Sequence, residues 1–168
     1  LNSGTLQYAD IIYEIERAID IYNFDEITSH LEKCERIDAF KSGPLRQFLL
    51  FAKAHVSLYR DHNLELAKEY VIEGIRTFFP DFTLETLSNH LYNNRELSLA
   101  SMLATIYCTN NDIATGKSIY KQLISALEEQ FSIHTRLFTY TSRSERLSYI
   151  NLLSNILRNE CSSMKDFF

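Results

Sequence analysis

A stripe of small polar side chains runs along one predicted helix in the middle of the chain. Four such residues recur at +3, +7 and +10: Ser98, Ser101, Thr105 and Cys108. A shift of 50 positions places four more on the same face of the last predicted helix: Ser148, Asn151, Asn155 and Arg158. Because an Asn amide both donates and accepts hydrogen bonds, Asn151 and Asn155 could clamp the backbone of an extended peptide.

An earlier predicted helix supplies the apolar counterpart of this stripe. At a shift of 49 positions its residues are Leu49, Ala52, Val56 and Tyr59. A groove that is apolar at one end and amide-lined at the other suits a short hydrophobic peptide. The candidate peptide-binding residues are therefore Val56, Tyr59, Ser98, Ser101, Thr105, Ser148, Asn151, Asn155 and Arg158. A solvated helix face stays open as the alternative, although such faces favour Glu and Lys and these stripes carry almost no charge.

The remaining reactive side chains form no familiar catalytic or metal-binding motif. His30 and Cys34 are four residues apart and could in principle share a metal ion,. The repeat pattern places both on a packed face and no further ligand follows at motif spacing, so a structural role is favoured. The sequence has no nucleophile elbow, phosphate-binding glycine loop or HExxH pattern, and only 4 glycines,. We expect no enzymatic activity, no metal and no cofactor.

Composition predicts one mostly helical domain. The chain has 168 residues, is 45% hydrophobic and contains only 4 Gly and 2 Pro, which leaves little turn or strand punctuation,. No apolar run reaches the ~18 residues that span a bilayer, and no signal segment opens the chain. Three cysteines without paired spacing fit a reducing compartment,. The net charge of -5 includes no basic stripe for a nucleic-acid backbone, so a cytoplasmic protein that does not itself bind DNA is expected,.

Helical periodicity divides most of the chain into elements. In chain order, we predict helices at Leu6–Ile21, from about Asp25, at Leu45–Arg60 and from Leu64 to Phe78, a short segment Leu84–Leu91, a helical pair within Glu96–Glu129 and a last helix Ser144–Arg158. Gly43 and Pro44 separate the second helix from the third,. Thr83 and Asp112 are predicted N-caps, because their side-chain oxygens can accept from free backbone N–H groups. Residues 131–141 are left unassigned.

Internal repetition is the strongest pattern in the sequence. A shift of 49 positions pairs Val71 with Tyr120, and a shift of 37 pairs Val71 with Cys34. Antiparallel helix pairs that stack with a common hand bury their apolar faces against the next pair. We therefore predict an all-α fold of tetratricopeptide-like helical hairpins that form a right-handed superhelix as a single domain over residues 5–168. Residues 1–4 lack an initiator Met and are interpreted as the join left where a fragment is cut from a longer protein,.

Three runs resemble a known family of regulators. Leu97–Tyr107, Asn111–Tyr120 and Tyr149–Leu157 resemble the C-terminal domain of the Rgg-like peptide-sensing transcription regulators of Gram-positive bacteria. The resemblance covers most of the chain, from about Leu6 to Arg158. Six further residues fall near the apolar and small positions of a tetratricopeptide repeat: Phe51, His55, Leu58, Ala67, Val71 and Gly74,.

The resemblance implies a regulatory domain that dimerises and holds a short signalling peptide in a concave groove, as in quorum sensing. In that family a helix-turn-helix domain binds DNA, and these residues contain no such domain. The expected partners are a short hydrophobic signalling peptide and a second copy of the chain. Either this second copy, in a symmetric homodimer, or residues outside this fragment would cover Leu147–Phe168,. DNA would be reached only through a domain outside these residues, and no membrane is involved. The alternative is a tetratricopeptide-like adaptor that binds a protein partner without a signalling peptide.

Overall fold

The computed structural model of the chain describes residues 7–90 and 92–137, with residues 131–137 described as backbone. Within these ranges every regular element is helical, which confirms the all-α prediction for this part of the chain. The α-helices are α1 (Ala9–Asp20), α2 (Phe24–Glu35), α3 (Gly43–His55), α4 (Leu64–Arg76), α5 (Asn94–Thr109) and α6 (Ile113–Leu137). Two 3₁₀ helices, Asp38–Lys41 and Leu84–Asn89, and a π-helical turn, Val56–Arg60, complete the described elements. The chain divides into two compact units between Asp81 and Phe82.

In the first unit α1 packs on α2, α3 packs on α4, and α2 also packs on α3. Helix α3 is buried along most of its length, as its dense apolar sequence predicts,. The core of this unit includes Ile15, Ala18, Ile27, Cys34, Phe40, Phe48, Leu49 and Ala52. A buried polar contact fixes α3 against α4, since the Gln47 side-chain amide donates to the Gly74 carbonyl at 3.0 Å. Such a bond stabilises the fold by about 1 kcal/mol.

In the second unit the 3₁₀ helix Leu84–Asn89 packs on α6, and α5 packs against α6 as an antiparallel hairpin. The apolar residues of α5 form two lines, a spacing that predicts packing on more than one side: Leu99, Leu103 and Ile106, and Ala100, Ala104 and Tyr107,. All are buried apart from the half-buried Tyr107. The hairpin is tight. A Cβ built on Gly116 would lie 2.3 Å from Cys108 Sγ and 2.9 Å from the Ala104 carbonyl oxygen.

The three hairpin turns of the described chain share one backbone motif. In each, a residue with positive φ precedes an Asn or Asp whose side chain accepts from a backbone N–H in the next helix: Tyr22–Asn23, His62–Asn63 and Asn111–Asp112. The N–H of Asn23 donates to the Ala18 carbonyl, and that of Asp112 to the Tyr107 carbonyl. In these two turns this is the Schellman arrangement, which leads from the end of one helix directly into the cap of the next. In the middle turn the N–H of Asn63 donates to the Ser57 carbonyl, one residue further back. The predicted capping by Asp112 is confirmed.

These caps fix the register of the repeats. Asn63 and Asp112 are 49 positions apart, so the predicted shift of 49 is confirmed. Asn23 and Asn63 are 40 positions apart, so the predicted shift of 37 is wrong by three residues. Three residues are nearly one helical turn, and the apolar pattern therefore matches at either shift. The correct register pairs buried Ile27 with buried Ala67.

Several other boundaries differ from the sequence prediction. The first helix begins at Ala9, not Leu6. Helix α4 ends at Arg76, so Phe78, the predicted last residue of this helix, lies in the following turn and is 43% exposed. The segment begun by Thr83 is a 3₁₀ helix, in which Thr83 forms a capping box with Thr86. Helix α6 continues to Leu137, into the range left unassigned. The predicted helix Ser144–Arg158 lies outside the described residues.

Candidate functional site

The first unit has an open cleft of about 240 Å³ between α2, the end of α3 and α4. Its lining mixes charged, hydroxyl and apolar side chains: Glu32, Glu35, Lys53, Arg60, Asp61, Thr28, Ser57, Tyr70, Leu31, Val56 and Leu66. The volume is below the roughly 300 to 1,000 Å³ of small-molecule sites. It therefore suits one side chain or one chain end of a ligand, with the rest of the ligand outside the cleft.

Lys53 is the cation at one side of the cleft. Its ammonium pairs with the Glu35 carboxylate and lies 5.4 Å from the centroid of the Tyr70 ring. The ring face attracts the cation, and the aliphatic stem packs against the protein. These contacts hold the ammonium near the cleft.

Arg60 is the second cation, and the π-helical turn positions it. In this turn the N–H of Asp61 donates to the Val56 carbonyl at 3.1 Å, one residue further back than in an α-helix,. The guanidinium donates to Asp61 Oδ1 from Nε at 2.7 Å and to Thr28 Oγ1 from Nη1 at 2.7 Å. The hydrogen bond to Asp61 raises the pKa of Arg60 above its ordinary value, so the group is always charged.

This arrangement offers a complementary surface to the end of a peptide. Lys53 and Arg60 each have more N–H donors than their pairs with Glu35 and Asp61 use, and these donors can receive a terminal carboxylate, while hydroxyls and carboxylates can pair with backbone N–H groups,. Leu31, Val56 and Leu66 provide an apolar wall for one side chain. Glu32 is exposed and makes no ion pair within the described ranges, so its carboxylate can accept from an incoming donor.

Five aromatic rings form a connected row on the first unit, here called the aromatic strip. Neighbouring ring centroids are 4.8 to 6.1 Å apart, in the order Phe24, Tyr22, Tyr59, His55 and Phe51. Tyr22 and Tyr59 are exposed. Sequence reasoning identified Tyr59 but missed Tyr22, because a lone Tyr in a turn carries no periodic signal.

The predicted polar stripe on α5 lies in the second unit and is largely bonded within the protein. Ser98 Oγ donates to the Asn94 carbonyl at 2.9 Å, and Thr105 Oγ1 donates to the Ser101 carbonyl at 3.1 Å. The Thr105 hydroxyl also lies 3.0 Å from the Tyr120 hydroxyl on α6. Ser101 is buried. These contacts place Thr105 on the side of α5 that meets α6.

Two of the other predicted site residues, Val56 and Tyr59, lie in the first unit. Val56 lies in the core of the first unit and also lines the cleft, and Tyr59 belongs to the aromatic strip. Four further residues lie outside the described part of the chain: Ser148, Asn151, Asn155 and Arg158. Peptide binding by all of these residues stays a prediction.

Of the two residues that could have shared a metal, Cys34 lies in the core of the first unit and His30 is half-buried. Cys34 is fully buried, and burial raises the pKa of its thiol from 9.0 to about 11. The thiol therefore stays protonated near neutral pH, whereas a metal ligand must lose that proton. Within the described residues, no three His, Cys, Asp or Glu side chains converge on a point where an ion could sit.

A membrane crossing needs length and apolar character together, and none of the described helices combines the two. Comparisons of the chain with protein-family models, with curated proteins and with solved structures found no match.

Proposed function

We propose that the chain is a peptide-binding regulatory module, built from tetratricopeptide-like helical hairpins that wind into a superhelix. It acts as the sensing and dimerising domain of a cytoplasmic transcription regulator in Gram-positive quorum sensing. The repeated turn motif at Asn23, Asn63 and Asp112 supports the hairpin architecture. The runs that resemble Rgg-like regulators, Leu97–Tyr107 and Asn111–Tyr120, cover most of α5 and the beginning of α6.

The observation that carries the proposal is the cleft between α2, α3 and α4. A short peptide with free ends brings one carboxylate, several backbone N–H groups and apolar side chains. The cleft offers Lys53 and Arg60 for the carboxylate, oxygens for the N–H groups and an apolar wall. The C-terminal residue enters the cleft, and the preceding residues lie along the surface.

The test is a titration of the 168-residue chain with a set of short hydrophobic peptides, each made with a free and with an amidated C-terminus. Amidation removes the carboxylate that Lys53 receives, so affinity falls about tenfold or more, as for the loss of a charge-assisted hydrogen bond. Lys53→Met lowers affinity for the free peptides by a similar factor. In this variant amidation has little further effect, because both changes remove the same contact.

Lys41→Met is the matched control. Lys41 is also a lysine paired with a carboxylate, Asp38, but it does not line the cleft. Its affinity should equal that of the unaltered chain. Equal binding of free and amidated peptides by the unaltered chain would place the ligand elsewhere and defeat the cleft as the sensing site.

The amide stripe of the last predicted helix has its own test. Asn151→Ala or Asn155→Ala should weaken peptide binding by about 1 to 3 kcal/mol, the cost of leaving a buried polar partner unpaired. Global stability should hardly change. A large drop in melting temperature with unchanged peptide affinity would mean that these amides are structural.

A tetratricopeptide-like adaptor without a signalling peptide is the second candidate. The exposed aromatic strip favours it, since exposed aromatic clusters are typical of protein-binding surfaces,. If no short peptide binds and only a folded protein is captured at the strip, the adaptor is correct.

A further inference from the structure

We infer that the aromatic strip docks a segment of a partner protein that carries arginine or lysine side chains. The strip joins the α1–α2 turn to the C-terminal part of α3, and its two tyrosines are exposed to solvent. Tyr22 is 60% and Tyr59 38% exposed, and the neighbouring Ile21 is also exposed. An exposed aromatic surface of this kind offers ring faces to a cation and ring edges to apolar side chains. The inference does not depend on the proposed peptide-sensing function.

The backbone of the turn holds Tyr22 at the surface. Its φ is 56°, in the left-handed region that favours Gly or Asn, and the equivalent residue of the third turn is Asn111 with φ 61°,. A bulky side chain at this φ is strained. The Tyr22 ring lies edge-on to Phe24 at 6.1 Å and to Tyr59 at 6.0 Å, which fixes its position in the strip.

The charges around the strip select a cationic partner. Asp20 and Asp25 flank the turn on its two sides and are exposed. Arg60, next to Tyr59, interacts with both Asp61 and Asp25. Two carboxylates therefore act on one guanidinium, and the exposed Asp20 adds a further negative charge at the turn, so the surface keeps a negative excess.

A second cation near the strip, Arg17 on α1, does not remove this excess of negative charge. Arg17 lies between two carboxylates, Glu14 at 2.9 Å and Glu26 at 2.5 Å. A symmetric contact between two copies of the chain would bring this acidic rim against itself, because such an interface uses the same patch on both copies. Like charges then oppose the contact, whereas an arginine-bearing segment gains both charge pairing and stacking on the rings.

The experiment titrates the 168-residue chain with a peptide of alternating leucine and arginine whose two ends are chemically capped. Its counterpart carries glutamate in place of arginine. Isothermal titration calorimetry measures the binding. The arginine peptide binds, the glutamate peptide does not, and added salt weakens binding. Tyr22→Asn and Tyr59→Ala each reduce affinity about fivefold, as expected for the loss of one cation–π contact.

Tyr22→Asn also separates docking from folding, because Asn tolerates the left-handed backbone better than Tyr does. Its melting temperature should not fall while its affinity does. Tyr13→Ala is the matched control, since Tyr13 is an exposed tyrosine of α1 outside the strip, and it should leave affinity unchanged. Equal binding of the two peptides, no binding of the arginine peptide, or full affinity in Tyr22→Asn would overturn the inference. So would a dimer in sedimentation equilibrium that Tyr22→Asn abolishes, because a second copy would then cover the strip.

Discussion

The side-chain amide of Gln130 forms hydrogen bonds with both backbone polar groups of Tyr92. Gln130 Oε1 accepts from the Tyr92 N–H at 3.1 Å, and Nε2 donates to the Tyr92 carbonyl at 3.1 Å. Both residues are buried. The amide thus takes the place of a neighbouring peptide group and ties the segment before α5 to α6. The Tyr92 hydroxyl donates in turn to the Leu87 carbonyl, so one residue links α6 to the 3₁₀ helix.

Replacing this amide should weaken the second unit strongly. Gln130→Met keeps the length of the side chain but leaves a buried N–H and a buried C=O without their partner. Each unpaired group costs about 1 to 3 kcal/mol, so the free energy of unfolding should fall by roughly 2 to 6 kcal/mol. Urea unfolding followed by circular dichroism measures the change.

Gln122→Met is the control on the same helix. Gln122 makes only a weak contact with Ser118, at 3.4 Å near the surface, and its replacement should change stability by less than about 0.5 kcal/mol,. Similar losses in the two variants would show that the bonds to Tyr92 contribute little.

Gly116→Ala tests the close approach of α5 and α6. Alanine stabilises a helix by about 1 kcal/mol relative to glycine, so at a position with free space around it this substitution would stabilise the protein. Here the new Cβ would meet Cys108 Sγ and the Ala104 carbonyl, and the carbonyl cannot move without displacing α5. We expect a net loss of about 1 to 3 kcal/mol, measured as a lower urea midpoint.

A second substitution, Cys108→Ala, tests which atoms obstruct the new Cβ. In Cys108→Ala the nearest obstructing atom, Sγ, is absent. In the Cys108→Ala protein, Gly116→Ala should therefore lower the free energy of unfolding by a smaller amount. Some loss should remain, because the Ala104 carbonyl still obstructs the new Cβ. A stabilising Gly116→Ala in the unaltered chain would contradict the close packing.

The helices and their caps were predictable because their signals are local. Asp112 follows Thr109–Asn111 and precedes an apolar helical pattern, and it caps α6 as this order predicts,. The π-helical turn after α3 was not predicted, since it adds a single residue to a pattern that still looks α-helical. The role of Gln130 depends on a contact 38 residues away, which periodicity cannot show.

The candidate site was predicted less well than the fold, for a similar reason. Periodicity indicates which α5 residues share a face, but not whether a hydroxyl bonds within its own helix. Thr105 bonds to the Ser101 carbonyl and to Tyr120, so its polarity serves the hairpin,. Val56 was predicted beside a groove and is 6% exposed, because the α2, α3 and α4 side chains around it close the core. The charged lining of the cleft comes from residues separated in sequence, and only the fold brings them together.

Asp112 should make stability depend on acid pH. Hydrogen bonds from Thr115 lower the pKa of this carboxyl below its ordinary 3.8. A lowered pKa in the folded state stabilises the protein above the unfolded pKa, and this contribution disappears as pH falls through the folded pKa. Asp112→Asn keeps an N-cap acceptor that does not titrate. Below about pH 4 the melting temperature should fall less steeply in Asp112→Asn than in the unaltered chain. Other acidic groups, such as Asp38, titrate equally in both proteins, so parallel curves would exclude a contribution from Asp112.

Cys34 should make stability depend on alkaline pH, with the opposite sign. Burial raises the pKa of its thiol from 9.0 to about 11, because the core disfavours the thiolate,. An unfolded chain loses this proton above pH 9, whereas the folded chain retains it. The contribution of Cys34 is therefore complete below pH 9 and is lost as pH rises through about 11,.

The measurement compares urea midpoints of the unaltered chain and Cys34→Ala between about pH 7 and pH 11. Cys34→Ala should be less stable at neutral pH, since it leaves a cavity in the core, but its stability should decline less as the pH rises. Buried Tyr92, whose pKa burial also raises, is present in both proteins, so the difference between the curves reports Cys34. Alkylation gives an independent measurement: iodoacetamide should modify the peptide that contains Cys34 only after unfolding in urea. Rapid modification of that peptide in the folded chain, or identical pH slopes in the two proteins, would contradict a protonated and buried thiol.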